Sequence, residues 1–295
     1  MASRLEAGRL FLDMAPFVVR IRSNVETLAR DFALIYGDFE SLPTDVFADF
    51  HVAIEQRRSL KTGFRSEVRF LLDERPFFVP LSPGQAFAGL EWGLNWCVTS
   101  TAHQYLIFHA AVIEKNGRTA ILPAPPGSGK STLCAGLVMS GWRLLSDELA
   151  LYDIAQGLVY GMARPINLKN RSIDVIQAFA PHARMTRPVP NTSKGTVALL
   201  APPGDSVLRV REPARPSWVI LPRYQPRAQA EMVPHSPAQT FMLLAEQAFN
   251  YQIHGRSGFD AVGQLIDQTA TYQFTYSQLA DAVAMFDALA EGRSP

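Results

Sequence analysis

The chain has 295 residues, of which 47% are hydrophobic and 19% charged, a composition typical of a globular protein rather than a disordered one. Its formal net charge of +1 gives no electrostatic basis for binding nucleic acid or an anionic membrane surface. Two cysteines, Cys97 and Cys134, are too few for a disulfide framework and lack metal-site spacing. We therefore expect a cytoplasmic protein that has neither nucleic acid nor a membrane as a partner.

The first 80 residues predict a small α+β unit. Asn24 stands where it could cap a helix whose apolar spacing continues to Tyr36. We place a domain boundary after residue 80, so that residues 1–80 form an N-terminal unit that is a candidate for acceptor binding and residues 81–295 form a catalytic domain. The elements predicted in the first unit are a helix over residues 25–36 and strands over residues 9–14, 17–22, 47–56 and 66–72.

The segment from residue 82 to residue 153 predicts the elements around a nucleotide site. Ser82 precedes Pro83 at the start of a predicted helix over residues 82–102. Asn116 and Gly117 form a strong hairpin-turn signal between two apolar strands. A second helix is predicted over residues 129–140. The predicted strands cover residues 105–115, 118–124 and 142–153, the last with a break near Asp147.

The remaining chain predicts fewer strands and more helix. Residues 184–204 are rich in proline, threonine and serine, which favours a loop around one strand at residues 196–200. A further strand is predicted at residues 217–224, and helices are predicted at residues 238–249 and 277–290. Large apolar side chains at helical spacing are more often core than ligand contacts. We therefore expect the following residues in the core: Trp92, Trp96, Met242 and Phe249.

A phosphate-binding loop is the strongest functional signal of this sequence. Residues 123–132, PAPPGSGKST, lie between a predicted strand and a predicted helix. Glycines in such a loop let backbone N–H groups face phosphates, the lysine reaches the β and γ phosphates, and the hydroxyl ligates Mg²⁺. The helix N-terminus adds partial positive charge. The predicted nucleotide-binding residues are Gly127, Ser128, Gly129, Lys130, Ser131 and Thr132.

The loop departs from the usual pattern at its first position, where Ala124 replaces glycine. Alanine fits there if the backbone has a negative φ. Pro125 and Pro126 stiffen the loop and remove two N–H donors. Because the donors that matter most come later, from Gly127 onward, we expect the phosphate cradle to be kept.

The residues on either side of the loop carry a family resemblance. These residues are His109 in FHAAV, the loop itself, and Gly141, Arg143, Leu144, Asp147 and Glu148 in SGWRLLSDE. On these residues, the segment from 105 to 153 resembles the HPr kinase/phosphorylase family, bacterial serine kinases whose core is related to phosphoenolpyruvate carboxykinase. The likeness is strongest to the HPr kinase-related kinases, some relatives of which phosphorylate serine in small modified peptides. A weaker likeness covers residues 164–176.

The resemblance implies an ATP- and Mg²⁺-dependent kinase that acts on a serine hydroxyl of a protein or peptide. In that family the acid matched by Asp147 accepts the proton of the acceptor. Glu148 matches a second acid near the metal, where the family has aspartate, and His109 lies near the transferred phosphate. Phosphoryl transfer also needs a cation and metal ligands, which Lys130 and Ser131 supply. The resemblance further implies a homo-oligomer, although the composition carries no sign of one.

Three further basic residues are candidates for contacts to substrate or phosphate: Arg164, Lys169 and Lys194. Lys194 lies in PNTSKGT, residues 190–196, which is a candidate lid. The dual-function members of the family carry a Glu-Ile-Arg-Gly segment associated with the reverse, phosphorolytic reaction. Here the corresponding residues 166–172 are INLKNRS. We therefore expect a kinase without phosphorylase activity.

The sequence leaves three alternative functions open besides the kinase. A P-loop ATPase or GTPase switch would use a metal-binding aspartate after four apolar residues, which LALYD to Asp153 imitates, although no Asn-Lys-x-Asp motif reads guanine. A nucleotide-binding regulator without chemistry is the second. A carboxykinase is the third, but the chain is short for one and lacks a recognisable arginine set.

The fold class predicted from all of these signals is α/β. We expect a P-loop kinase core of the HPr kinase/phosphoenolpyruvate carboxykinase type, with a mixed, twisted sheet around the loop helix. The smaller N-terminal α+β unit precedes it. The sequence does not identify the acceptor or decide between ATP and GTP by a base-reading motif.

Overall fold

In the computed structural model, which describes residues 2–59 and 65–293, helices pack on mixed β-sheets, so the predicted α/β class is confirmed. The first part of the chain forms a six-stranded sheet in the order β3-β1-β2-β4-β5-β6, in which β2 and β4 are parallel. Its elements are α1 (Ala2–Glu6), β1 (Leu10–Met14), β2 (Phe17–Ser23), α2 (Glu26–Tyr36), β3 (Ser41–Leu42), β4 (Phe50–Ser59), β5 (Arg65–Leu72) and β6 (Arg75–Pro76).

A long helix leads from this sheet into the rest of the chain. Ser82 and Gln85 form a capping box at a short 3₁₀ turn, Pro83–Gln85, which runs directly into the helix. The predicted helix over residues 82–102 is confirmed, with its first turn tightened. The next elements are α3 (Ala86–Thr101), β7 (Leu106–Lys115), β8 (Arg118–Pro123), α4 (Lys130–Met139), β9 (Arg143–Ser146), β10 (Leu149–Asp153) and β11 (Leu158–Tyr160).

The second half of the chain completes two further sheets. An eight-stranded sheet has the order β11-β10-β7-β8-β15-β17-β16, with β9 paired to β7, and a three-stranded sheet has the order β12-β14-β13. The elements are β12 (Ile166–Lys169), α5 (Arg171–Phe179), β13 (Val189–Thr192), β14 (Gly195–Leu200), α6 (Gly204–Leu208), β15 (Pro216–Tyr224), β16 (Glu231–Pro234), α7 (Pro237–Glu246), α8 (Tyr251–Gln268), β17 (Ala270–Tyr276) and α9 (Leu279–Ala290).

The helix after the phosphate loop lies between the two sheets of the second half. Leu133 and Leu137 of α4 share one hydrophobic cluster with Leu122 of the large sheet and Ile166 of the small sheet. The opposite face of the large sheet packs on α8 through Phe108 and its neighbours. Burying α4 on all sides fixes where its N-terminus, and therefore the loop, can lie.

The alternating direction of side chains along each strand explains why helices cover both faces of the large sheet. Along β8, Ala120 and Leu122 belong to the α4 side, whereas Ile121 belongs to the α8 side. Side chains of a strand point alternately to opposite faces, so an uninterrupted apolar run requires cover on both faces. A third cluster joins α3 to the N-terminal sheet and includes Leu149 of β10.

Several expectations are corrected by the structure. Asn24 does not cap α2: Val25 precedes the helix, and the side chain of Asn24 instead accepts from the N–H of Gln56 at 2.7 Å. Met242 and Phe249 are not core residues, because 68% and 51% of their surfaces are exposed. The indole side chains of α3 that were predicted in the core are half-buried.

Within residues 184–204 the predicted strand at residues 196–200 is confirmed as β14, whereas β13, which pairs with it in a hairpin, lies where a loop was predicted. Several elements had no specific prediction, among them β11, β12, α5, β16, α8 and β17. In the part of the chain that the structure describes, none of the helices combines the length and the apolar character that crossing a bilayer requires.

Candidate functional site

Strand register brings together residues that are far apart in the sequence. Strand β7 lies antiparallel between β8 and β10, with Ala110 opposite Pro123 and His109 opposite Leu149. The end of β8 and the residues just before β10 therefore meet beside the middle of β7. The phosphate loop leaves β8 at this point, beside Asp147 and Glu148.

The loop has the conformation that a phosphate cradle needs. Gly127 and Gly129 have φ of +85° and +88°, a region open mainly to glycine. Helix α4 begins at Lys130, directly after the second glycine. Within the described residues, the N–H groups of Gly129, Ser131 and Thr132 donate to no protein acceptor. They are free donors at a helix N-terminus, where an anion is favoured.

Replacement of the first loop glycine does not distort the turn. Ala124 is buried at the end of β8 and is not among the residues with positive φ. The turn after it is closed by the N–H of Ser128, which donates to the carbonyl of Pro125 at 3.3 Å. The alanine therefore fits without the strain that a left-handed position would impose.

The loop opens into a cleft of about 820 Å³. His109 and Glu148 line it from the large sheet, and Lys169 lines it from the end of β12. A volume of this size is in the range of small-molecule sites. Besides the loop residues from Ala124 to Thr132, the lining includes Asn167, Arg171, Ser172, Val175, Ala178, Phe179, Tyr224, Tyr276 and residues 277–280.

Lys130 is a buried cation without a hydrogen-bond partner. Only 7% of its surface is exposed, and its ammonium makes no hydrogen bond to any described residue. Burial lowers its pKa, while the nearby carboxylates of Asp147 and Glu148 act in the opposite direction. An unpaired ammonium facing a cleft is suited to bind an anionic ligand, since burying a charge alone is costly.

Asp147 is more deeply buried than the sequence suggested. It is 3% exposed, and burial raises its pKa to about 6 although Lys130 opposes the shift. One carboxylate oxygen accepts from the N–H of Asn167 at 3.1 Å, and the other has no partner among described residues. The Ser131 hydroxyl also favours its ionised form. Asp147 is absent from the lining of the main cleft and instead lines a small cavity of about 20 Å³, room for about one water molecule.

Glu148 faces both the small cavity and the main cleft. Burial tends to raise its pKa, but the surrounding cations outweigh burial and lower it below the usual glutamate value. Glu148 is therefore a carboxylate at neutral pH. The cations that lower its pKa are Lys194, Lys169, Lys130 and Arg164.

His109 lines the cleft as a neutral imidazole. Its ring packs on Phe249 with centroids 5.8 Å apart, and its backbone N–H donates to the carbonyl of Gln247 at 2.7 Å. Burial and the neighbouring charge of Lys130 lower its pKa to about 4, although Glu148 acts in the opposite direction. At neutral pH it can accept or donate a hydrogen bond but carries no charge.

Arg164 lies in a buried ion pair and is absent from the lining of the main cleft. Its guanidinium donates to the carboxylate of Glu91 at 2.7 Å and to the side-chain oxygen of Asn95 at 2.8 Å. The amide nitrogen of Asn95 in turn donates to Glu148. Arg164 therefore acts on the site through Asn95 and through its charge, rather than by lining the main cleft.

The other basic candidates differ in position. Lys169 and Arg171 line the cleft, at the end of β12 and the start of α5. Lys194 is exposed at the tip of the β13–β14 hairpin, with its ammonium 5.5 Å from the centre of the Trp92 ring. Its positive charge lowers the pKa of Glu148. Lys169 is thus the candidate best placed to meet a ligand in the cleft.

Two other residues from the sequence patterns, Arg143 and Asp153, make contacts that stabilise the fold. Arg143, from the segment after α4, is buried and pairs with Glu114 at 3.1 Å and with Glu212 at 3.2 Å. Asp153, the metal aspartate of the switch alternative, accepts from the N–H groups of Ala155 and Gln156 at 2.9 Å each. It closes a turn and does not line the cleft, so the geometry does not favour the switch alternative.

The residues present fit a magnesium ion shared with phosphate. Mg²⁺ is usually held by one or two protein oxygens, with phosphate oxygens and water completing its shell. The hydroxyl of Ser131 and the carboxylate of Glu148 lie on the wall of the same cleft. Among the described residues, no cluster of three or more His, Cys, Asp or Glu forms a metal site alone. A bound phosphate would therefore have to supply the remaining oxygens.

Four residues near the site were not singled out by sequence reasoning: Glu91, Asn95, Asn167 and Tyr276. For the first two a signal existed, because Glu91 and Asn95 are polar residues four apart in an otherwise apolar helix and so share one face. Asn167 and Tyr276 lie in strands without any motif, and only the tertiary structure brings them to the loop.

Comparison of the chain with protein-family models and with curated proteins found no match in either case. The resemblance to the HPr kinases therefore remains a prediction, carried by the motif residues on either side of the loop.

Proposed function

We propose that this protein is an ATP- and Mg²⁺-dependent kinase that transfers the γ-phosphate to a hydroxyl, that of a serine in a protein or peptide. The proposed core is a P-loop kinase core of the HPr kinase type. The observation that carries the proposal is the single cleft that joins the loop to Glu148, His109 and Lys169 from three separate segments. A phosphate cradle, oxygen ligands and basic side chains are the parts that phosphoryl transfer needs.

The loop would bind the triphosphate. The unpaired N–H groups of Gly129, Ser131 and Thr132 face the same region as the buried ammonium of Lys130. Fixed donors at a helix N-terminus need little rearrangement when an anion binds, and they stabilise charge that moves onto the leaving ADP. Lys169, which also lines the cleft, adds a second cation.

Ser131 and Glu148 would hold the magnesium ion. Both present oxygen atoms, and Glu148 stays ionised because cations surround it. The ion supplies charge neutralisation on the phosphate oxygens when bound. Glu148 replaces the aspartate of the resembling family and keeps its charge on a longer side chain.

In the proposed transfer, the acceptor oxygen forms a bond to the γ-phosphorus while the bond from that phosphorus to the β,γ-bridging oxygen breaks. ADP leaves with the electron pair, and the proton of the acceptor hydroxyl passes to Asp147. A carboxylate with a pKa of about 6 is ionised at neutral pH and is more basic than an ordinary aspartate. Glu148, which faces the cleft, is the neighbouring alternative for the same proton.

The proposal covers transfer in the kinase direction only. The region that would correspond to the segment associated with phosphorolysis forms β12 and the start of α5. Its cleft-lining residues Asn167, Lys169 and Arg171 do not reproduce that segment. We expect no release of pyrophosphate from a phosphorylated product when inorganic phosphate is added.

The test uses γ-labelled ATP, Mg²⁺ and an extract of the native host, with label followed into protein, peptide, small molecules and free phosphate. The variants are Lys130→Met, Asp147→Asn and Glu148→Gln. Lys115→Met is a matched control, because Lys115 pairs with Asp287 at 2.8 Å and does not line the cleft.

Acid-stable label in a protein or peptide, lost in Asp147→Asn and kept in Lys115→Met, would support the kinase and the role of Asp147. Loss in Glu148→Gln alone, with Mg²⁺-nucleotide binding kept, would assign the proton to Glu148 instead. Free phosphate as the only product, unchanged by extract, would overturn the proposal in favour of an ATPase. Nucleotide binding without any turnover would indicate a regulator.

A further inference from the structure

A chain of hydrogen bonds runs from the N-terminal sheet unit to the cleft. The hydroxyl of Tyr36 in α2 donates to one oxygen of Glu91 at 2.5 Å. The guanidinium of Arg164 donates to the other oxygen of Glu91 at 2.7 Å and to the side-chain oxygen of Asn95 at 2.8 Å. The amide nitrogen of Asn95 donates to Oε2 of Glu148. At every link a donor group faces an acceptor group, so the direction of each hydrogen bond in the chain is defined.

Asn95 can take only one orientation in this chain. An amide has a carbonyl end that accepts and an amino end that donates. The carbonyl end faces the permanently charged Arg164, so the amino end must face Glu148. A rotated amide would put a donor against the guanidinium and an acceptor against a carboxylate, and both contacts would be repulsive.

Burial makes the chain rigid. Tyr36 is fully buried, and Glu91 and Arg164 are 3% and 9% exposed. Pro165 follows Arg164, and Ala163 before it has a φ of +46° and is 1% exposed. A non-glycine residue in the left-handed region persists only when its surroundings hold it there. The guanidinium is thus fixed by both its backbone and its ion pair.

We propose that Asn95, held by Arg164 and Glu91, is a positioning residue that fixes the carboxylate of Glu148 for binding the magnesium–nucleotide complex. The proposal rests on the proposed function, since it assumes that Glu148 takes part in metal binding. With Oε2 held by Asn95, the other oxygen, Oε1, accepts from no described residue and is available to a ligand. A glutamate side chain has three rotatable bonds, and holding one oxygen removes much of that freedom before the ion binds.

The chain also gives the N-terminal unit a part in the site. Helix α3 carries Glu91 and Asn95 on one face, and the unit contributes Tyr36 to the far end of the network. The N-terminal unit therefore supports the carboxylate of Glu148 through Tyr36 of α2, although it lines none of the cleft.

The test measures binding, with the fluorescent analogue mant-ATP titrated at fixed protein and a series of Mg²⁺ concentrations. Asn95→Leu keeps the approximate volume and removes the donor to Glu148. Hydrogen-bond partners behind a metal ligand typically contribute 10–100-fold to metal affinity, so we expect the Mg²⁺ concentration at half-saturation to rise about 10-fold or more. Affinity for mant-ATP in EDTA should stay within about twofold of wild type.

Ser100→Ala is the matched control on the same helix, because Ser100 is exposed and bonds only to the carbonyl of Trp96. Glu148→Gln reports whether Glu148 binds the ion at all. If Glu148→Gln weakens the Mg²⁺ response and Asn95→Leu does not, the positioning role is wrong while the metal site stands. If Glu148→Gln leaves the response unchanged, the assigned metal site fails, and the positioning role fails with it.

A loss of folding is separated from a loss of positioning by thermal denaturation without nucleotide. Arg164→Met leaves the buried Glu91 without its partner, and we expect this variant to unfold more readily than Asn95→Leu. Asn95→Leu should keep a cooperative transition and an unchanged EDTA affinity. Loss of EDTA affinity together with Mg²⁺ response would show a general structural role and would overturn the proposal.

Discussion

The hydroxyl of Tyr276 donates a hydrogen bond of 2.9 Å to the carbonyl oxygen of Gly129, and the hydroxyl oxygen of Tyr276 occupies space that a side chain at Gly129 would need. A Cβ atom at Gly129 would lie 2.6 Å from that hydroxyl oxygen and 2.8 Å from the Cβ of Tyr224. The last turn of the phosphate loop is therefore set against the ends of β15 and β17.

Two glycine variants separate backbone strain from this close contact. Gly127→Ala meets no atom within 4 Å and pays only for its φ of +85°, about 1–2 kcal/mol. Gly129→Ala has a similar φ and also collides with Tyr276, so its free energy of unfolding should fall by at least about 1 kcal/mol more. Urea denaturation of both variants measures the difference. Equal decreases in the free energy of unfolding would show that Tyr276 moves away from the new side chain without an energetic cost.

Asp147→Asn should stabilise the protein at high pH. The pKa of Asp147 in the folded protein, about 6, lies above its ordinary value of 3.8, because burial disfavours the ionised carboxylate. Folding therefore becomes less favourable as pH rises from about 4 to about 6, and the cost persists above that window. Shifts of this size correspond to about 1–3 kcal/mol. The charges facing Asp147 are those of Lys130 and Glu148.

This prediction is checked by the free energy of unfolding of wild type and Asp147→Asn at pH 4 and pH 8, in EDTA. The variant should gain about 1–3 kcal/mol at pH 8 and little at pH 4. Asp205→Asn is the control, because the Asp205 side chain is 70% exposed. A loss of stability in Asp147→Asn at pH 8 would show that the carboxylate contributes more through its contacts than it costs by burial.

Lys130→Met should lose nucleotide affinity without losing stability. The ammonium is buried and makes no hydrogen bond to a described residue, and burial lowers its pKa. A charged hydrogen bond to phosphate contributes about 1.5–3 kcal/mol, so affinity for mant-ATP should fall about 10- to 100-fold. The thermal midpoint should not fall. A large fall would indicate that Lys130 is mainly a partner of the buried carboxylates.

His109 should remain neutral across the physiological range. Burial and Lys130 lower its pKa to about 4, below the ordinary value of 6.5. The folded protein then binds fewer protons than the unfolded chain between these values, so stability falls as pH drops from about 6.5 to 4. NMR of the ring, assigned by comparison with His109→Gln, should show no titration from pH 6 to 8. Titration near pH 6.5 would contradict the buried site.

Local signals predicted much of the segment around the loop. The Asn116-Gly117 turn predicted the β7–β8 hairpin, and both residues have positive φ, as such a turn requires. The break near Asp147 separates β9 from β10 as expected. These features depend on near neighbours in the chain, and so sequence patterns can show them.

Predictions that depended on long-range packing were less successful. Phe249 has helical spacing with its neighbours but lies exposed, with its ring against His109. Strand β13 lies in a proline- and threonine-rich segment that resembles a loop, and it pairs with β14, which in turn pairs with β12. Periodicity reports which faces are apolar but not which partner covers them.

The sequence by itself determined the phosphate loop, its flanking strand and helix, and the acidic pair that follows, because glycine conformation, turn chemistry and apolar periodicity act over a few residues. The tertiary structure decided what surrounds them. It buried Asp147, placed Glu148 at the cleft and joined Arg164 to Glu91 and Asn95. Burial and hydrogen bonding between distant segments set these charges and directions, and no local pattern encodes them.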